Sequence, residues 1–187
     1  MNKAVFLDRD GTIIEDVGYI SSPSQINFIP GSIEAIKKLN EAGYKVVVIT
    51  NQAGVARGIT TEDMVQTVDK VLHRKILSGG AHLDGIYYCP HHPEHGVYPY
   101  KQNCECRKPH TGLIKKATKD HQIDLSQSFM IGDKTSDVEA GKKAGVKTVF
   151  VLTGHGAKEV DELTQKPDYI AQNLAEAVKW VLSTSKK

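Results

Sequence analysis

Ala4-Val5-Phe6-Leu7-Asp8-Arg9-Asp10-Gly11-Thr12 (AVFLDRDGT) runs from an unbroken apolar stretch straight into two carboxylates and a glycine. A short apolar run closed by turn residues reads as a strand buried on both faces, the form typical of parallel sheets. Outward from it, strand and helix patterns alternate. Ser32 to Glu41 has helical spacing, YKVVVIT from Tyr44 to Thr50 is a second buried strand, and roughly Thr61 to Leu77 is a second helix. After an irregular segment near residues 89–110 come a helix from about Thr111 to His121 and a strand SFMIGD ending at Asp133. A helix from about Thr135 to Ala144, a strand KTVFVL and a last helix over Leu174 to Leu182 follow, with the final STSKK expected to fray. This alternation predicts an α/β fold, a doubly wound parallel sheet with helices on both faces, as a single domain over residues 1–187. Ligands of such sheets sit beyond the carboxyl ends of the strands, where Asp8, Thr50 and Asp133 should converge.

Composition narrows the function classes. Lys and Arg number 24 against 22 Asp and Glu, a formal charge of +2 that gives no strong field for nucleic acid or an anionic membrane. MNKAVFLDRDG is too short in apolar residues for a signal peptide, and no run approaches the ~20 apolar residues of a membrane span. A soluble, cytoplasmic chain is expected. It is also expected to be a monomer, because no strongly apolar exposed helix stands out.

The aspartates suggest phosphoryl chemistry. Two acids just past a buried strand need compensation, and a magnesium ion on hard oxygen ligands would keep Asp8 ionised and screen its repulsion from a phosphate. Asp8 could then attack phosphorus as a carboxylate nucleophile, while Asp10 protonates the leaving oxygen and later deprotonates a water. Thr50 and the amides after it could hold phosphoryl oxygens, and Lys108 could neutralise the charge developing on them. IGDKTSD supplies Asp133 as a further magnesium ligand, and Asp137 either orients Lys134 or the metal's waters or is a solvated helix residue. Taken alone, a DxD is as readily a solvated turn with a helix-capping aspartate.

All three cysteines fall between residues 89 and 106, an odd number that suits a metal site better than a disulfide framework. Cys89-Pro90-His91 and Cys104-Glu105-Cys106 offer three thiolates and one imidazole for a tetrahedral zinc, with His92 and His95 as competing ligands. Four protein ligands leave no place for a water nucleophile, so the zinc would be structural. Its expected role is to order a polar loop and fix Arg107 and Lys108.

DxDGT (Asp8 to Thr12), the strand-end Thr50, Lys108 and GDxxxD (Gly132 to Asp137) together resemble the haloacid dehalogenase superfamily of aspartyl phosphatases. That resemblance implies a Rossmann-like fold, Asp8 as nucleophile, Asp10 as acid/base, and magnesium held by Asp8, the Asp10 backbone carbonyl and Asp133. CPHHP, CxCRKP, DRDGT, Gly18-Tyr19 and TNQAGVARG further resemble the bacterial D-glycero-D-manno-heptose 1,7-bisphosphate 7-phosphatases of nucleotide-activated heptose biosynthesis. In that family the substrate contacts carry over to Asp16, Val17, Gly18, Tyr19, Thr50, Asn51, Gln52, Ala53, Arg107, Lys108 and Lys134. Ala53 departs from the frequent serine, which removes a side-chain hydrogen bond but leaves the amide.

The substrate implied is a small phosphorylated sugar, with the Arg107 fork suited to a second phosphate and Arg57 either at the rim or an ordinary surface residue. The zinc-loop histidinol-phosphate phosphatases share the catalytic set and stand as the alternative. No large cap domain is inserted, so the crevice should be open; near-neutral charge without a basic, aromatic-interleaved patch argues against a nucleic-acid end as substrate. From another class, a non-catalytic, zinc-ordered binding module would leave the aspartates as surface acids.

Overall fold

The computed structural model describes residues 1–184. Six parallel strands form one sheet in the order β3-β2-β1-β4-β5-β6: β1 (Ala4–Leu7), β2 (Lys45–Asn51), β3 (Gly85–Cys89), β4 (Phe129–Gly132), β5 (Lys147–Val151) and β6 (Tyr169–Ala171). The helices are α1 (Ser32–Glu41), α2 (Glu62–Ser78), α3 (Gly112–His121), α4 (Thr135–Ala144), a single turn α5 (Gly156–Glu159) and α6 (Leu174–Thr184).

Alternation along the strands builds two cores. Val5, Leu7, Val46, Val48 and Ile131 pack with Ile36 and Leu39 of α1, Leu72 and Ile76 of α2, and Val178 and Val181 of α6. Their strand neighbours Ala4, Phe6, Val47, Ile49 and Met130 face the other way, onto Leu113, Ile114 and Ala117 of α3 and Ala140 of α4. All four β1 residues are fully buried, as a strand covered on both faces requires.

The predicted strands and longer helices lie where expected, with ends shifted by a residue or two. β3 and β6 were not anticipated. β3 is an edge strand whose residues are mostly half-buried, and β6 has three residues; neither carries the long apolar run that marks the inner strands. Of the STSKK tail, Ser183 and Thr184 complete α6 rather than fraying, and residues 185–187 lie outside the described residues.

The strand order reverses between β1 and β4, so the loops leaving these two strands part in opposite directions and open a crevice. Asp8 follows β1 and donates its backbone N–H to Ile131 O of β4 at 2.9 Å. Asp133 follows β4. The topology therefore delivers both carboxylates to the same end of the sheet.

Candidate active site

Asp8, Asp133 and Asp137 are all nearly inaccessible to solvent, and each offers an oxygen within 4.8 Å of the others. Lys108, equally buried, sets its ammonium 2.9 Å from Asp8 Oδ1 and 2.6 Å from Asp137 Oδ1 and donates to Ile49 O at 2.7 Å. Burial works against this charge, but Asp137 and Asp8 outweigh it and hold the lysine above its ordinary range. Burial, reinforced by the charges of Asp8 and Asp137, pushes Asp133 up to about 8. Asp137 is raised to about 6, chiefly by burial against the pull of Lys108.

Three carboxylates around the Lys108 ammonium carry a formal surplus of negative charge, which Lys134, shared among Asp8, Asp133 and Asp16, offsets only in part. Asp133 Oδ2 accepts the backbone N–H of His155 at 2.8 Å, whereas the buried Oδ1 has no hydrogen-bond partner. A hard-oxygen donor set with an unpartnered buried oxygen fits magnesium. Backbone has been brought up against this carboxylate: a Cβ on Gly11, whose φ is +82°, or on Gly154 would run into Asp133 Oδ2. Asp137 is no solvated helix residue, because its Oδ2 also accepts the Lys134 backbone N–H at 3.0 Å and caps α4.

Asp10 is held from two sides. Arg9 Nη2 donates to its Oδ1 and Oδ2 at 3.2 and 3.0 Å, and Gln52 Nε2 donates to Oδ2 at 2.8 Å. The same amide reaches Thr50 Oγ1 at 2.8 Å, placing the threonine beneath Gln52 with 1% exposure. Asn51 clamps the Lys108 main chain, accepting its N–H at 3.0 Å and donating to its carbonyl at 3.1 Å.

Asp16, Gly18, Tyr19, Asn51, Gln52, Ala53, Arg107, Lys108 and Lys134, all predicted substrate residues, line one cleft of about 250 Å³ together with Asp10 and Ser136. Val17 (43% exposed) and buried Thr50 are not part of its lining. Lys134 Nζ and His155 Nε2 each approach Asp16 Oδ2 at 3.1 Å, and Asp16 Oδ1 accepts the Gly18 N–H at 2.8 Å. Partial burial opposes ionisation of Asp16, but Lys134 prevails and holds the carboxyl below its ordinary value. Arg57 is exposed and lies over the Tyr19 ring, 5.7 Å from its centre. A larger groove of about 450 Å³ beside Gln66, Arg74 and Tyr88 on α2 and β3 contains none of the predicted site residues.

Cys89, His91, Cys104 and Cys106 form a second cluster, their candidate ligand atoms within 4.8 Å of one another. Cys106 Sγ lies 3.0 Å from Cys89 Sγ, 3.1 Å from Cys104 Sγ and 3.4 Å from His91 Nδ1. Hydrogen bonding between Cys106 and Cys89 draws the Cys106 thiol down to about 5. Three sulfurs and one ring nitrogen at these spacings fit a tetrahedral zinc. His92 lies outside the cluster and turns its Nδ1 to the N–H groups of Glu94 and His95, both at 3.1 Å. The loop reaches the cleft through Arg107, whose Nη1 donates to His91 O at 3.1 Å.

Arg9, Asp69, Ser136 and His155 belong to this constellation without having been expected there. Arg9 stood between two motif aspartates, where an exposed arginine is the ordinary reading. Asp69 and His155 are brought in by tertiary packing, which no short spacing announces.

Residues 105–177 match the family model described as HAD-hydrolase-like. The chain is 44% identical over 182 residues to the D-glycero-beta-D-manno-heptose-1,7-bisphosphate 7-phosphatase of Pasteurella multocida, covering 97% of each. It is 41% identical to the protein of that name from Escherichia coli K12, covering 92% of this chain and 90% of the relative. Among solved structures it resembles the D,D-heptose 1,7-bisphosphate phosphatase of B. bronchiseptica complexed with magnesium and phosphate. The TM-score is 0.88 at 30% identity, over 97% of this chain and 99% of that one.

Proposed function

We propose that this chain, which belongs to the heptose 1,7-bisphosphate 7-phosphatase family of haloacid-dehalogenase-like hydrolases, removes the 7-phosphate from D-glycero-β-D-manno-heptose 1,7-bisphosphate through a phosphoaspartate on Asp8. The observation that carries this reading is the Asp8 carboxylate at the end of β1, 2.9 Å from the buried Lys108 ammonium and beside the unpartnered Asp133 oxygen. The relatives at 41–46% identity specify the β anomer in their names, and the same anomer is adopted here.

Asp8 attacks the 7-phosphorus in line; the new carboxylate–phosphorus bond forms as the bond to the sugar oxygen breaks, and Asp10 gives that oxygen its proton. Asp10 then takes a proton from the water that attacks phosphorus, which releases inorganic phosphate and restores Asp8. Lys108 and the Thr50 hydroxyl stabilise the charge on the phosphoryl oxygens. Magnesium, which Asp8, Asp133 and the Asp10 backbone carbonyl would hold, would neutralise charge between carboxylate and phosphate.

Arg107 and Lys134, both lining the cleft, supply cations for the 1-phosphate. A zinc held by Cys89, His91, Cys104 and Cys106 would have no open position and would serve to order the loop that carries Arg107 and Lys108. No described helix is long and apolar enough to cross a membrane.

Phosphate release with magnesium tests the reading on three substrates: the heptose bisphosphate, histidinol phosphate and a sugar monophosphate. The bisphosphate should have the highest kcat/KM, and Asp8→Asn should abolish turnover. Preference for histidinol phosphate would move the chain to the alternative activity, and unchanged turnover in Asp8→Asn would remove the mechanism.

A further inference from the structure

Arg9 is the bulkiest side chain wholly buried among the described residues, yet it neither lines the cleft nor belongs to the acid cluster. A guanidinium taken out of water needs partners for both its charge and its N–H groups. Here they are two carboxylates on opposite sides. Nε and Nη2 fork onto Asp10, at 3.3 Å to Oδ1 for Nε and 3.0 Å to Oδ2 for Nη2, while Nη1 donates to Asp69 Oδ1 at 2.8 Å.

Asp69 is buried and sits within the 17-residue α2, a rigid element packed on the sheet. From the other side Gln52 Nε2 holds Asp10 Oδ2 at 2.8 Å. The Asp10 carboxyl is thereby fixed in rotation, with Arg9 as the strut and α2 as its footing.

We propose that Arg9, anchored by Asp69, is a positioning residue that aims the Asp10 carboxyl at the leaving oxygen. The inference rests on the reading of Asp10 as the acid that protonates that oxygen. Planarity matters to this role. A guanidinium contacts both carboxylate oxygens and Asp69 at once in fixed directions, which an ammonium cannot reproduce. A merely structural buried pair would, when broken, lower the amount or stability of folded enzyme without changing which esters it cleaves.

The test compares the heptose bisphosphate, an alkyl ester whose leaving oxygen needs a proton, with 4-nitrophenyl phosphate, whose aryloxide leaves without one. kcat/KM reports the step in which that oxygen departs. Thermal melting accompanies each variant. Arg9→Lys and Asp69→Ala should lower kcat/KM for the heptose ester about 10- to 100-fold, a part of the roughly 10²- to 10⁴-fold that general-acid catalysis supplies, and that for the aryl ester less than about 3-fold. Asp69→Asn, which keeps an acceptor oxygen toward Nη1, should restore part of the loss seen in Asp69→Ala.

Equal losses on the two esters, or none, in folded Arg9→Lys and Asp69→Ala would overturn the proposal. Asp10→Asn separates the two levels. If it discriminates between the esters and Arg9→Lys does not, only the positioning role fails; if Asp10→Asn lowers both alike, the acid reading fails and takes this inference with it. Should Arg9→Lys not fold, the two Asp69 variants decide by the same ratio.

Discussion

The Lys108 ammonium stands 2.9 Å from the Asp8 carboxylate in a site where neither side chain is more than 6% exposed. The contact joins the end of the first strand to the segment directly after the cysteine cluster. Its second partner, Asp137 at 2.6 Å, makes Lys108 the shared cation of two buried acids. Lys108→Met should therefore act on both stability and rate. Breaking a buried pair leaves uncompensated charge and costs about 3–5 kcal/mol, and loss of a phosphoryl-stabilising cation lowers kcat about 10²- to 10³-fold. Urea unfolding and steady-state kinetics check the two effects separately; a variant with wild-type kcat would remove Lys108 from the chemistry.

A pH dependence follows from the same crowding. Without a cation, Asp133 stands at about 8 and Asp137 at about 6 in the folded chain. An unfolded aspartate titrates near ~4, so between these limits the folded chain keeps protons that the unfolded chain has released. This contribution to stability is full below about pH 4 and is lost as pH rises through about 6 and then 8. Urea midpoints of zinc-loaded, magnesium-free protein should reflect that loss across the window, and saturating magnesium should suppress it. Magnesium, competing with these protons, should bind more tightly as pH rises. A magnesium affinity that weakens toward high pH would contradict the assignment.

The parts of this site that were legible in the sequence are those carried by single local patterns. Asp8 and Asp133 could be placed because each ends a fully buried strand, and the cysteine cluster because its ligands come in close pairs. β3 was missed because an edge strand buries only part of its surface, so GIYYC lacks the apolar run of VVVIT. Arg9 was missed for a different reason. Its burial depends on Asp69, 60 residues away, and a single-sequence pattern carries no information about a pairing made only when α2 docks. Asp137 admits two roles in the sequence, and only the packing shows its second oxygen turned back to cap α4.

The cysteine cluster should hold one zinc, and removing it should reach the chemistry through the chain that follows. Cys106 directly precedes Arg107 and Lys108, and Arg107 is tied to the His91 carbonyl at 3.1 Å. Cys104→Ala or Cys106→Ala should lose zinc by elemental analysis, expose the 90–106 segment to proteolysis, and lower kcat/KM by up to about 10²-fold, the cost of a roughly 1 Å misplacement of catalytic groups. Full activity in a zinc-free variant would show that Arg107 and Lys108 are held without the metal.

Arg107 offers the sharpest test of the substrate, because it lines the cleft while the proposed mechanism assigns the reacting end to Lys108, Asp8 and Asp10. If the guanidinium grips the non-reacting phosphate, its worth is binding energy that a monophosphate cannot use. Arg107→Ala should then lower kcat/KM for the bisphosphate by about 10- to 100-fold, a charge-assisted contact of roughly 1.5–3 kcal/mol. A sugar monophosphate should be turned over nearly as before. Arg107→Lys should recover only part, since an ammonium keeps the charge and loses the two-pronged contact. Parallel losses on both substrates would instead place Arg107 at the reacting phosphate, and the second phosphate would then have to be held by Lys134.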